Sequence, residues 1–262
     1  MNSLNQNPSN PDTHEIRPLV LKNNTLTEPP STFRVLSCID MDAFFAQAEA
    51  RRFGYDDTVP LVVIHFRVCI AVTYAARKYG VTRIMPIDEI KKLCPHIILV
   101  HVDTIKVGQE PIDPYKRDLK DKLNINRKWD QEKTCLDYYR FESDKVFAIL
   151  KRMCPIVEKA SIDENFLDFT EEAMRIYNTG NYEVKWEGKV PGYEGKIPET
   201  KEEILLMIGS QIAAKIRKEV HDTLKYTCTA GIPIIKCSQS WLPASTSQMI
   251  RLLSSSKQPW KF

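Results

Sequence analysis

Four acids in two short stretches carry the strongest chemical signal in the chain. The stretch CIDMDAFFAQAE holds Asp40 and Asp42 at the end of an apolar run, and ASIDENFLDF holds Asp163 and Glu164 side by side among apolar residues. Carboxylates in apolar surroundings are costly unless a cation or hydrogen-bond donors compensate them. Three of them collected at one sheet edge would suit Mg²⁺, a hard ion that prefers oxygen ligands. Two such ions about 3.5–4 Å apart can activate a hydroxyl and stabilise a leaving oxygen in phosphoryl transfer. Neighbours on a regular strand point to opposite faces, so Asp163 and Glu164 can serve one site only at a turn or kink. A plainer reading makes these acids turn residues or helix caps, with Asp42 well placed to cap a helix that begins at Ala43. Spacing alone leaves both readings open.

A second group is basic. TYAARKYGVTR carries Tyr74, Arg77, Lys78 and Arg83. On a helix, Tyr74 and Arg77 share a face at i, i+3, and arginine forks suit phosphate oxygens. The alternative is a solvated helix face.

The elements that must position these residues follow from apolar patterning. Phe33, Val35 and Cys38–Ile39 predict a strand ending at the first acidic pair, and a helix follows over 43–52. Strands are predicted over 60–64, 69–73 and 97–102, with short helices over 75–79 and 87–93 between the last two. The densely charged stretch 108–134 has little apolar period and reads as a solvated insertion. A helix over 139–154, a hairpin over 157–169, a loop over 178–200, an amphipathic helix over 204–220 and a strand over 226–232 complete the pattern. Strands and helices alternate without a dinucleotide-binding signature. The expected class is therefore α+β with a split β-α-β sheet.

Composition narrows the function classes. The 262 residues are 43% hydrophobic and 27% charged, with a net charge of +3, which fits a globular chain and neither demands nor excludes a nucleic-acid partner. The longest apolar run, 59–64, is far short of the roughly 20 residues of a membrane span, so no membrane partner is expected. No signal peptide is seen at the start. Seven cysteines without a C-x-x-C pair read as reduced thiols of a cytosolic or nuclear protein. No phosphate-wrapping glycine loop occurs. Residues 1–31, rich in Asn, Pro, Ser and Thr, read as a disordered tail.

Taken together, CIDMDAFFAQAE, IAVTYAARKYGVTRIM and KASIDENFLDF resemble the Y-family translesion DNA polymerases, with the eta class of fungi nearest. The resemblance covers about residues 33–232, and three motifs in the right order make it specific. It implies a palm with a ferredoxin-like split β-α-β sheet over 32–63 and 99–232, fingers over 64–98, and insertions at 108–134 and 171–203. It also implies nucleotidyl transfer from a deoxynucleoside triphosphate to a primer 3′-hydroxyl, primer-template DNA as partner, two Mg²⁺ ions and residence in the nucleus. A sliding clamp is expected for the full-length family, in a region not found here.

The resemblance also assigns roles. Asp40, Asp163 and Glu164 would be the catalytic metal ligands, with Met41 lending its backbone carbonyl. Phe45 would be the steric gate against a ribose 2′-hydroxyl, and Phe44 would pack in the core. Tyr74, Arg77 and Arg83 would contact the incoming nucleotide. Two departures stand out. Asn165 follows the S-I-D-E motif where a small or branched aliphatic residue is usual. His65 takes the place of a glutamine that would reach the templating base.

After TAGI the family continues into a thumb, whereas this chain reads PIIKCSQSWLPASTSQMIRLL. Codons read one base out of phase can spell HNKMLAKLASSFNKPNDQTIV, which resembles the thumb. The expectation is a frame slip near Ile232–Pro233, an aberrant and poorly ordered stretch over 233–262, and weak DNA binding. The competing functions are a non-catalytic palm and fingers remnant and, from another class, a nucleotide cyclase, which also uses paired acids on a similar sheet.

Overall fold

The strand predicted before the first acidic pair forms as β1 (Phe33–Met41), and it is the axis of the molecule. The computed structural model describes residues 33–110, 113–189, 197–232 and 234–236. Most of β1 is buried on both faces, from Val35 to Ile39, and the strand opens to solvent at Asp40. It leads through a sharp turn into α1 (Phe44–Arg52). Then come β2 (Leu61–His65), β3 (Val68–Val72), α2 (Tyr74–Arg77), α3 (Ile87–Leu93) and β4 (Ile98–His101). The stretch 104–134 holds β5 (Thr104–Lys106), a 3₁₀ turn at Pro114–Lys116, α4 (Leu119–Lys122) and β6 (Glu132–Thr134). The rest is α5 (Asp137–Met153), β7 (Val157–Lys159), β8 (Glu164–Asp168), α6 (Thr170–Thr179), α7 (Lys201–Leu224), β9 (Cys228–Gly231) and β10 (Ile234–Lys236).

Two sheets hold all of these strands but β5 and β6, which pair with each other. In the larger, β1 pairs antiparallel with β8 on one side and with β9 and β10 on the other, and β8 pairs antiparallel with β7. With α5 and α7 as crossovers, the chain runs β1-α5-β7-β8-α7-β9 in the spatial order β9, β1, β8, β7. This is the split β-α-β sheet that the alternating pattern predicts. α7 packs against β1, α5 and α6. Its approach to β1 requires Gly209, because a Cβ there would lie 2.5 Å from Val35 Cγ1. The smaller sheet has the order β3-β2-β4, with β2 and β3 antiparallel and β2 and β4 parallel. It has its own core of Val62, Ile64, Cys69, Val72, Ile90 and Cys94. α1 touches β2 and β3, so one helix joins the acid-bearing strand to the smaller sheet.

Three expectations need correction. The stretch 108–134 is not simply solvated. Its ends pair as β5 and β6, and Lys122 is buried against Glu49 and Asp103. Its charges serve an internal ion network, a use that periodicity does not reveal. The predicted loop 178–200 begins later than expected, since α6 continues to Thr179 and ends on Gly180 in the left-handed region. Three residues of the stretch 233–262 pair as β10 with residues 33–35 of β1, so the expectation of poor order fails for them. The remainder of that stretch, the frame-slip reading and the disordered tail 1–31 lie outside the described residues. Among the described residues, no helix is long and apolar enough to cross a membrane.

Candidate active site

The antiparallel register sets Asp40 of β1 directly opposite Glu164, the first residue of β8. Such partners have Cβ atoms about 4.5–5.5 Å apart. Asp163 lies just outside the strand, in a turn. The Met41 N–H donates to the Asp163 carbonyl at 2.9 Å, and the N–H groups of Ala160 and Ser161 both donate to the Glu164 carbonyl. Off the pleat, Asp163 escapes the alternation that would send it to the opposite face. Ser161 organises the turn: its hydroxyl donates to Asp163 Oδ1 at 2.7 Å and accepts from the N–H groups of Asp163 and Glu164. Glu164 Oε1 accepts from the Cys38 thiol at 3.3 Å, and Cys38 lies two residues before Asp40, on the same face of β1. The next residue, Asn165, is buried, as strand alternation requires.

Like charge crowds this edge. Burial, followed by the charges of Asp163, Glu164 and Asp42, pushes the Asp40 carboxyl from its ordinary 3.8 up to about 6. Burial and then the Glu164 carboxylate push the Cys38 thiol up to about 12. Hard oxygen donors with excess negative charge suit Mg²⁺ in both chemistry and charge. Among the described residues, no three His, Cys, Asp or Glu side chains are already arranged as a metal cage. Asp163 and Glu164 are instead each engaged with a local donor, Ser161 and Cys38. The side chain of Met41 is buried, which leaves its backbone as the group it can offer.

Asp42 does not cap α1. The N-cap is Ala43, at φ 44°, and no side chain caps the helix. A helix start without a side-chain cap leaves N–H donors for an anion. Asp42 Oδ1 accepts from Thr229 Oγ1 at 2.7 Å. Burial and then the Asp42 charge push the Tyr74 phenol up, which puts α2 beside the acid edge. There the Arg77 guanidinium lies 4.7 Å over the exposed Tyr74 ring, so the predicted i, i+3 pairing is real. Arg83 is exposed, and its charge reaches the Cys69 thiol. His65 is held elsewhere, with Nε2 2.6 Å from Thr134 Oγ1 at the end of the charged stretch, and burial lowers its pKa.

Phe44 is buried, its ring 5.6 Å from that of Tyr226. Phe45 is half-buried and stacks on Tyr139, with ring centres 4.0 Å apart and 14° between planes. Tyr139 is fully buried and donates its hydroxyl to Glu49 Oε1 at 2.7 Å. Sequence reasoning missed the parts played by Tyr139, Ser161 and Cys38. Ser161 carried a signal, since a serine two residues before an acid favours a hydrogen-bonded turn.

Residues 39–236 match the impB/mucB/samB family. The chain is 35% identical to the N-acetyltransferase eso1 of Schizosaccharomyces pombe over 228 residues, 77% of this chain and 25% of that protein. It is 30% identical to DNA polymerase eta of Saccharomyces cerevisiae over 87% of this chain and 41% of the relative, and 28% identical to DNA polymerase iota of Homo sapiens over 79% and 24%. The chain thus spans between about a quarter and two fifths of these relatives. Its acid edge, Tyr74–Arg77 pair and Phe45 all fall within the matched residues, and the chain belongs to the impB/mucB/samB family.

Proposed function

We propose that this chain is the catalytic part of a DNA-directed DNA polymerase of the translesion type, joining a deoxynucleotide to a primer 3′-hydroxyl in the nucleus. The observation that carries this reading is the register of Asp40 against Glu164 with Asp163 turned in beside them, in a chain whose relatives include polymerases eta and iota. Asp40, Asp163, Glu164 and the Met41 carbonyl would hold two Mg²⁺ ions, which when bound would favour the attacking hydroxyl's anion and offset charge on the leaving pyrophosphate.

The protein's own groups supply position and selection. The uncapped start of α1 faces its N–H donors toward the triphosphate. Arg77, braced on the Tyr74 ring, offers a fork to phosphate oxygens, and Arg83 would add a second guanidinium to the incoming nucleotide. Phe45, backed by Tyr139, stands where a 2′-hydroxyl would go and excludes ribose by shape. His65 would approach the templating base.

Primer extension with Mg²⁺ on an undamaged template tests the reading. Extension is expected from the wild type and should vanish in Glu164→Gln while the circular dichroism spectrum is unchanged. A folded wild type that extends no primer at micromolar concentration would overturn the activity. Full extension by Glu164→Gln would overturn the metal assignment.

A further inference from the structure

A cavity of about 500 Å³ opens at the far end of α1, where the chain ends of α1 and α7 meet the middle of α5 and the 3₁₀ turn. Arg51 is seven residues along α1 from Phe44, about 10 Å from the acid edge at 1.5 Å per residue. The cavity is therefore separate from the candidate active site.

Its wall is dominated by cations: Arg51, Arg52, Arg117, Lys145 and Lys225, with Glu142 as the one carboxylate. Glu142 is already saturated, accepting from the hydroxyls of Tyr115 at 2.8 Å and Tyr226 at 2.9 Å and from Lys145 Nζ at 2.6 Å. Arg52 is committed to Asp103 at 2.9 Å. Three cations are left poorly matched. Arg51 donates to the Gln47 carbonyl at 3.2 Å and lies 4.5 Å over the Tyr226 ring, but its one ion-pair partner among the described residues is the exposed Asp57, at 3.9 Å. Arg117 donates from Nη1 to the Thr104 carbonyl at 2.7 Å, but its one carboxylate among the described residues is the Asp103 oxygen that Arg52 already holds, 3.9 Å from Nε. Lys225 is exposed and forms no ion pair among the described residues.

Arg51 Nε and Arg117 Nε and Nη2 are buried without a hydrogen-bond partner among the described residues. Most buried polar atoms in folded proteins are satisfied, so unmatched guanidinium nitrogens just behind a cavity wall point to an acceptor that belongs there. The ends of α1 and α7 bring about half a negative charge each, too little to neutralise three cations. The cavity falls in the ~300–1,000 Å³ range of small-molecule sites, so it has room for more than a bare oxyanion. The half-exposed Tyr115 ring and the Tyr138 ring supply an apolar wall for the remainder.

We propose that this cavity binds a small organic phosphate monoester, its oxyanion among Arg51, Arg117 and Lys225 and its organic group against Tyr115. The proposal stands independently of the polymerase reading. Titration of the intact chain with phenyl phosphate, followed by ³¹P NMR in EDTA at constant ionic strength, tests it. Saturable binding is expected, with inorganic phosphate at least tenfold weaker and phenol not competing. Lys225→Asn, which removes the charge yet tolerates the left-handed backbone there (φ 60°), and Arg51→Gln should each weaken binding about tenfold. Asp40→Asn should leave it unchanged. A linear response without saturation, equal affinity for inorganic phosphate, or an affinity untouched by both cavity variants would overturn the proposal, and so would loss of binding in Asp40→Asn.

Discussion

Two clusters of charged residues flank α1, and they are opposites. At its start, Asp40, Asp42, Asp163 and Glu164 gather like charge at an open edge, where the nearest compensation is two hydroxyls and a thiol. Behind the helix, Glu49 and Asp103 are matched by Lys122 and Arg52 and shut away from water. Lys122 Nζ lies 2.7 Å from Glu49 Oε1 and 3.0 Å from Asp103 Oδ1, with side-chain exposures of 2% or less. Burial pushes the Glu49 carboxyl up, while Lys122 and the Tyr139 hydroxyl pull it back. The same residue types thus do different work. A balanced, buried set holds structure, whereas an unbalanced, open set is stable only because solvent reaches it, and a cation at that edge would relieve its repulsion.

The contrast is sharpest if one charge is removed from each set. Lys122→Met leaves Glu49 and Asp103 buried with Arg52 in contact and Arg117 no nearer than 3.9 Å, and breaking a buried pair from one side costs about 3–5 kcal/mol. Urea denaturation should show a loss of that size, and it should be substantially recovered in the double variant Glu49→Leu/Lys122→Met, because well-packed apolar substitutes are often neutral. Glu164→Gln relieves repulsion and should leave the midpoint unchanged or slightly raised. If Lys122→Met costs less than about 1 kcal/mol, the charged stretch 108–134 is peripheral after all.

The next effect lies where the buried set meets the candidate gate. Tyr139 stacks under Phe45 and donates to Glu49. Tyr139→Phe keeps the stacked ring but deletes a hydrogen bond to a charged acceptor, worth about 1.5–3 kcal/mol. The loss should shrink below about 0.5 kcal/mol when Glu49 is already Gln. An undiminished loss in that background would mean that the hydroxyl acts elsewhere and that the two clusters are not linked through this ring.

Legibility in the sequence followed the range of the interactions. β1, the hairpin of β7 and β8, α5 and α7 were readable because apolar spacing sets which face is buried. The longer extent of α7 had its own signal, since Thr200 and Glu203 form a capping box at its start. The convergence of Asp40 with Asp163 and Glu164 could be stated only as a condition, that a turn frees one acid from strand alternation. The turn is made by Ser161 and by Met41 N–H, the latter from a strand more than a hundred residues away. Lys122 was unreadable for the same reason. A lysine in the run RDLKDKLNINRK looks solvated until Glu49 and Asp103, distant in the chain, are brought to it. Asp42 looked like a cap because caps are local, but its partner Thr229 is not.

The smallest effect is one of pH, and it separates the clusters without touching the core. The folded Asp40 carboxyl titrates at about 6 against an ordinary 3.8. Between those values the folded chain holds a proton that the unfolded chain has released, so stability must fall as pH rises through this window and level off above it. The residue is exposed, so solvent screening reduces the effect to about 1 kcal/mol. Carboxylates with lowered pKa, such as Glu142, contribute the opposite slope, so the quantity to read is the wild type minus Asp40→Asn. In EDTA that difference should grow against the wild type from pH 4 to 7. Millimolar Mg²⁺ should then reverse it at pH 7 and have little effect at pH 4, because a cation that binds only the folded, ionised edge stabilises by mass action. A difference that is flat with pH, or a Mg²⁺ response equally large at pH 4, would show that the open edge is neither crowded by like charge nor selective for a cation.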